Sequence, residues 1–148
     1  MAEITWEWPH TKKWPKFSGG NIDVLKKMFL AGESLNVNNF IKFYTDPCYY
    51  KFGNFPAVET PQMIAETSSG FIEACEGLHH HIVDIWEMPD GTVICKMEVT
   101  YIGHDARVVT LPCCDTIKFE DGKVKELRIY MDIGPLFTPE KPEKSNFC

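Results

Sequence analysis

Three histidines stand side by side at His79, His80 and His81, in the stretch GLHHHIVDIWEM. Imidazole titrates close to physiological pH and is also a common metal ligand, so the run raises proton transfer and metal binding together. The residues that follow alternate between apolar and polar, as a strand does, and on a strand His79 and His81 point one way while His80 points the other. At most two of the three share a face, which is poor support for a metal site. No CxxC or HxxxH spacing exists in the chain. The six cysteines include an adjacent pair, Cys113 and Cys114, and read as reduced, packed thiols rather than as a disulfide or zinc framework.

Carboxylates are the other residues able to carry chemistry. Glu98, in KMEVTYI, shares its face with Ile94, Lys96 and Thr100, whereas Val93, Cys95, Met97, Val99 and Tyr101 form the opposite, apolar face. By pattern alone Glu98 is outward or at an interface. Asp115, in CCDTIKF, is ambiguous in the same way. Alternation puts Arg128, Tyr130 and Asp132 on one face, where Asp132 could pair with Arg128 or bond a neighbouring turn. Asn54 follows a Phe-Gly pair; its amide could position a water or an oxyanion, or simply complete a turn. Tyr44 and Tyr50 could turn hydroxyls inward or be core.

These residues need elements to hold them. SGGNIDVLKKMFLAG places Ile22, Leu25, Met28 and Phe29 at helical spacing, with Asn21 as cap and Gly32 as stop. ESLNVNNFIKFYTDP repeats the spacing with Val37, Phe40, Ile41 and Tyr44 and ends before Pro47. CYYKFGNFPAV predicts a short strand closed by Gly53 and Pro56. A third helix starts at Thr60-Pro61, runs through Ile64, Phe71, Ile72 and Cys75, and ends at Gly77. The period then becomes two. LHHHIVDIWEM and TVICKMEVTYI flank a PDG turn, and RVVTLPCCDTIKF and KVKELRIYMDI flank an EDG turn. Three helices before a meander of long antiparallel strands make an α+β design in which the sheet curls around the helices. Residues 1–19, with Trp6, Trp8 and Trp14, are expected to be an arm; residues 138–148 read as a loose tail.

The chain has 148 residues, enough for one domain with a core of its own, and a net charge of -6 with pI near 5.3. It carries no basic stripe, which argues against nucleic acid or an anionic membrane surface as partner. No apolar run approaches a membrane span, and MAEITWEWPHTKKWPKF lacks the apolar core of a secretory signal, so a cytoplasmic location is expected. Phosphate loop, dinucleotide fingerprint, nucleophile elbow and metal motif are all missing, leaving cofactor-free proton transfer as the enzymatic reading. Apolar residues on both strand faces predict a homodimer formed through the sheet.

The chain resembles the SnoaL-like polyketide cyclases, within the ketosteroid-isomerase and nuclear-transport-factor-like superfamily. The similarity spans roughly residues 20–137 and is carried by the FGN turn, the EVTY strand, the TLP strand start and RIYMD with PLF after it. The Trp-rich arm and the Cys113-Cys114 pair depart from the family's pattern. The resemblance implies a cone-shaped α+β barrel with a pocket between helices and concave sheet. It puts Asp132 in that pocket as an acid-base group, matches His80 to a histidine common in the family, and lets Glu98 reach inward to pair with Asp132. Tyr130, Asn54, Tyr44, Tyr50, Phe40, Phe71, Trp86, Met97 and Asp115 would contact substrate. Implied functions are isomerisation or cyclisation of a hydrophobic polycyclic, terpenoid or polyketide molecule. Epoxide hydrolysis or dehydration in the same pocket, or ligand binding and dimerisation without catalysis, are the alternatives.

Overall fold

The computed structural model describes residues 20–138. The Trp-rich arm and all but the first residue of the expected tail lie outside them. In chain order the elements are α1 (Gly20–Glu33), α2 (Val37–Ile41), β1 (Tyr44–Phe52), α3 (Pro61–Glu73), β2 (Cys75–Glu87), β3 (Val93–Gly103), β4 (Val108–Glu120), β5 (Lys123–Tyr130) and α4 (Gly134–Phe137). The five strands form one sheet in the order β1-β5-β4-β3-β2. Its last four strands are antiparallel neighbours, and β1 joins β5 in parallel.

The sheet bends without closing, because β1 and β2 remain its two edges. Register shifts between Tyr44 and Tyr49, Ile82 and Asp84, and Lys118 and Phe119 supply the bend, since each extra residue adds local twist. The concave face is apolar. Val93, Cys95, Met97, Val99 and Tyr101 of β3, Leu111, Cys113 and Ile117 of β4, and Val124 and Leu127 of β5 are all buried there. They pack against Ile22, Leu25, Met28 and Phe29 of α1 and Ile64 of α3.

Helix ends show where local sequence is decisive and where it is overruled. Thr60 caps α3 by accepting from Met63 N at 3.1 Å, with Pro61 in the first turn, as its sequence predicts. Asn21 does not cap α1. Its amide reaches the Gly91 carbonyl at 2.9 Å, and the Glu87 carboxylate accepts from Ile22 N at 3.2 Å instead. An anion from the sheet thus serves the α1 N-terminus, which spacing within α1 cannot reveal. The second helix is shorter than expected: α2 stops at Ile41 and the chain is already β1 at Tyr44, because Val124 N bonds the Phe43 carbonyl and draws this segment into the sheet. Cys75 and Gly77 belong to β2, not α3. Gly77 lies beside Ile102, whose side chain would sit 2.9 Å from an added Cβ.

Gly53 closes β1 at φ +51, and a Cβ there would stand 3.0 Å from the Met131 carbonyl oxygen. Gly53→Ala is therefore expected to cost roughly 1–2 kcal/mol, read as a lower urea midpoint with unchanged slope.

Candidate active site

Alternation along β4 turns Leu111, Cys113, Asp115 and Ile117 to the concave side. Asp115 is only 3% exposed, the one buried charged side chain among the described residues. Cys95 and Ile129 face it across the neighbouring strands. Burial penalises its charged form and lifts its pKa to about 7, partly opposed by the Cys113 thiol, which donates to Oδ1 at 3.2 Å.

Three tyrosines converge on this carboxyl from other elements, each close enough to feel its charge: Tyr44 and Tyr50 from β1 and Tyr101 from β3. Burial raises all three phenols well above their usual range, so each is a protonated donor at neutral pH. Tyr50 bonds Ser68 of α3, and the Tyr101 hydroxyl reaches Met131 Sδ at 3.3 Å. The Tyr44 hydroxyl is buried with no hydrogen-bond partner. Ring contacts hold the tyrosines: Phe40 to Tyr44 at 5.3 Å, Tyr44 to Tyr50 at 6.3 Å and Phe71 to Tyr101 at 5.4 Å between centroids.

Tyr101 also lines a cleft of about 370 Å³ between the end of α3, the β3–β4 turn and α4, together with Phe71, Cys75, His104, Arg107 and Phe137. Its polar groups are partly engaged in holding its walls. His104 Nε2 meets the Glu73 carbonyl at 2.8 Å, and the Arg107 guanidinium donates to the Pro135 and Leu136 carbonyls at 2.8 and 3.4 Å. Sequence reasoning singled out neither His104 nor Arg107. Their only signal was the polar GHDAR turn, because the cleft needs α4 and the turn brought together.

The SnoaL-like domain model matches residues 25–127, which takes in α1 from Leu25, all of β1 to β4 and most of β5. The chain belongs to the SnoaL-like domain family. Solved structures agree on the fold. A candidate SnoaL-like polyketide cyclase from Jannaschia sp. is 16% identical, with TM-score 0.67 over 79% of this chain and 88% of that one. A Catenulispora acidiphila protein of ketosteroid isomerase-like fold, in complex with trimethylamine, is 11% identical, with TM-score 0.67 over 75% and 86%. An LEH-like epoxide hydrolase of M. tuberculosis is 16% identical, with TM-score 0.66 over 79% and 86%. No curated protein matches the chain.

Within this SnoaL-like domain the expected site residues divide. Tyr44, Tyr50 and Asp115 meet on the concave face, Met97 is buried there, Phe40 packs on Tyr44, and Phe71 lines the cleft. Asp132 is not in the pocket. It is exposed, and its Oδ1 accepts from Gly134 N at 2.8 Å, forming the turn into α4. Arg128 does not pair with it but bonds Glu126 and lies 4.5 Å over the Tyr49 ring. Tyr130 is 57% exposed. Glu98 is exposed opposite Pro112 and His81, Trp86 lies on that same outer face opposite Ile94, and Asn54 is exposed beyond β1. For Glu98 and Trp86 the reason is one register: the apolar row of β3 faces the helices, so its polar row and everything paired with it face away.

The histidines obey the same register. His80 pairs with buried Val99 on the concave side, while His79 and His81 pair with Thr100 and Glu98. His80 stacks on Phe29 at 4.5 Å, and its Nδ1 meets Glu33 Oε2 at 3.2 Å; His79 Nδ1 meets Glu33 Oε1 at 3.3 Å. One carboxylate at the end of α1 thus ties two neighbouring imidazoles of β2. Among the described residues no three His, Cys, Asp or Glu side chains gather to hold a metal ion. Asp115 and His80 sit two strands apart in rows four residues distant, about 13 Å along the strands, so they form no acid-base pair.

Proposed function

We propose that the protein is a cofactor-independent isomerase or cyclase acting on a hydrophobic, ring-bearing small molecule, with Asp115 taking and returning the proton. The observation that carries this reading is the Asp115 carboxyl, buried among tyrosines and thiols and held at about pKa 7. A carboxyl balanced between its two forms near neutral pH suits general acid-base work. As carboxylate it removes a proton from carbon beside a ligand carbonyl. Negative charge then develops on the ligand oxygen, where the Tyr44 hydroxyl donates a hydrogen bond. As carboxylic acid it returns the proton to a second position. The ligand enters through the cleft, past the Tyr101 ring.

Deuterium uptake by polycyclic ketones in heavy water, followed by mass spectrometry, tests this at the level of reaction class. Catalysed exchange is the expected result. Oxygen-18 entering an epoxide from solvent, without ketone exchange, would instead point to hydrolysis, the activity in the name of one structural neighbour. Ligand binding without catalysis is the second reading, favoured because Asp115 is not among the residues lining the cleft. Binding with neither exchange nor oxygen-18 incorporation would support it.

Tyr44→Phe separates donor from filler. A buried hydroxyl without a partner stabilises nothing, so the variant should melt no lower than the parent while exchange slows about 10²-fold. A melting temperature several degrees lower would contradict the assignment.

Two copies are proposed to pair through the outer face, supported by exposed Ile102, Val108 and Tyr130 there. Sedimentation at micromolar concentration should find the dimer. A cytoplasmic location is proposed on the five free thiols among the described residues; none of the described helices is long and apolar enough to cross a membrane.

A further inference from the structure

Cys113 and Asp115 stand two residues apart on β4 and project to the same side. The thiol donates to Oδ1 at 3.2 Å, and both groups are buried. Burial, and then the charge of Asp115, push the thiol far above its ordinary range, so it stays an S–H donor through neutral pH. One oxygen of the carboxyl is thereby occupied by the protein itself.

We propose that Cys113 is a positioning residue for Asp115: its thiol hydrogen ties down Oδ1 and orients the carboxyl, so that Oδ2 is the oxygen that carries the proton and meets the ligand. The role given to Oδ2 rests on the proton-transfer reading above; the grip of the thiol on Oδ1 does not. The ionisable groups that feel Asp115 are Tyr44 and Tyr50 of β1, Cys95 and Tyr101 of β3, and Cys113 and Cys114 of β4. α3 adds Ser68, bonded to Tyr50, and Phe71, packed on Tyr101. Burial raises every one of these phenols and thiols, so none changes charge around pH 7. A change at Cys113 is then read on Asp115 without a second titration beneath it.

The test is the titration of the Asp115 carboxyl in the full chain, by its infrared stretch, assigned through its loss in Asp115→Asn. The thiol bond favours the charged form, so Cys113→Ala should raise the midpoint by about half a pH unit or more. Cys113→Ser replaces the thiol with a stronger donor and should bring the midpoint below that of the parent. A folded Cys113→Ala variant with the parent's midpoint overturns the proposal. Should that variant not fold, Cys113→Ser decides alone, and a midpoint unchanged or raised overturns it. No substrate is used, so these midpoints stand or fall separately from the loss of exchange in Asp115→Asn.

Discussion

Asp115→Asn should lose about 10²- to 10⁴-fold of the catalysed deuterium exchange, the range that one positioned acid-base group supplies. The amide fills nearly the same space and can still accept from Cys113, so the fold should survive and circular dichroism should be unchanged. Asp132→Asn and Glu98→Gln are the matched controls. Both side chains are exposed, and Asp132 serves only the turn before α4. Each should retain exchange within about twofold, since an exposed carboxylate outside the site adds little to a proton transfer that depends on burial. Full activity in Asp115→Asn, or its loss in Asp132→Asn, would return the chemistry to the end of β5.

The second large effect is on stability. Asp115 has a folded pKa of about 7 against an ordinary value of 3.8. Between those values the folded chain keeps a proton that the unfolded chain has released. The folded state then binds more protons, so stability falls as pH rises from about 4 to about 7 and levels off above. At about 1.4 kcal/mol per pH unit, over the roughly 3 units between 3.8 and about 7, the whole loss is about 4 kcal/mol. Asn at this position carries no charge and pays no such penalty. The variant should match the parent near pH 4 and exceed it by several kcal/mol at pH 8 in urea unfolding. A constant difference across that range would mean that Asp115 ionises as easily folded as unfolded. More activity and less stability from one carboxyl is the trade a buried proton-transfer group entails.

Much of the fold was legible because period and turn chemistry agree. The PDG and EDG turns and the Thr60-Pro61 start survive in the structure, and so does the change from helical spacing to alternation, although it falls at Cys75 rather than after Gly77. The apolar row of β3 likewise marks the buried face, which correctly sends Glu98 outward by pattern; the resemblance to the family pulled it in. The signal for Asp115 was present in RVVTLPCCDTIKF: it is the one acid in the row Val109, Leu111, Cys113, Ile117 and Phe119, whose alternate row is Thr110, Pro112, Cys114, Thr116 and Lys118. Its pairing with buried Cys95 agrees with that alternation. Asp132 misled for a different reason. It sits past the last ladder pair of β5, where alternation no longer dictates direction and a two-residue turn captures the side chain. The Glu87 cap on α1 and the Glu33 tie to two histidines were invisible because each joins residues 46 to 65 positions apart.

The proposed chemistry turns on a carboxyl that is balanced between its protonated and charged forms near neutral pH inside the curve of the sheet. Carbon-13 NMR of the Asp115 side-chain carboxyl, followed across pH in the unmodified chain, measures that directly. The predicted midpoint is near 7. A midpoint near the ordinary value of 3.8 would show an open, solvated carboxylate and would contradict the buried proton-transfer site.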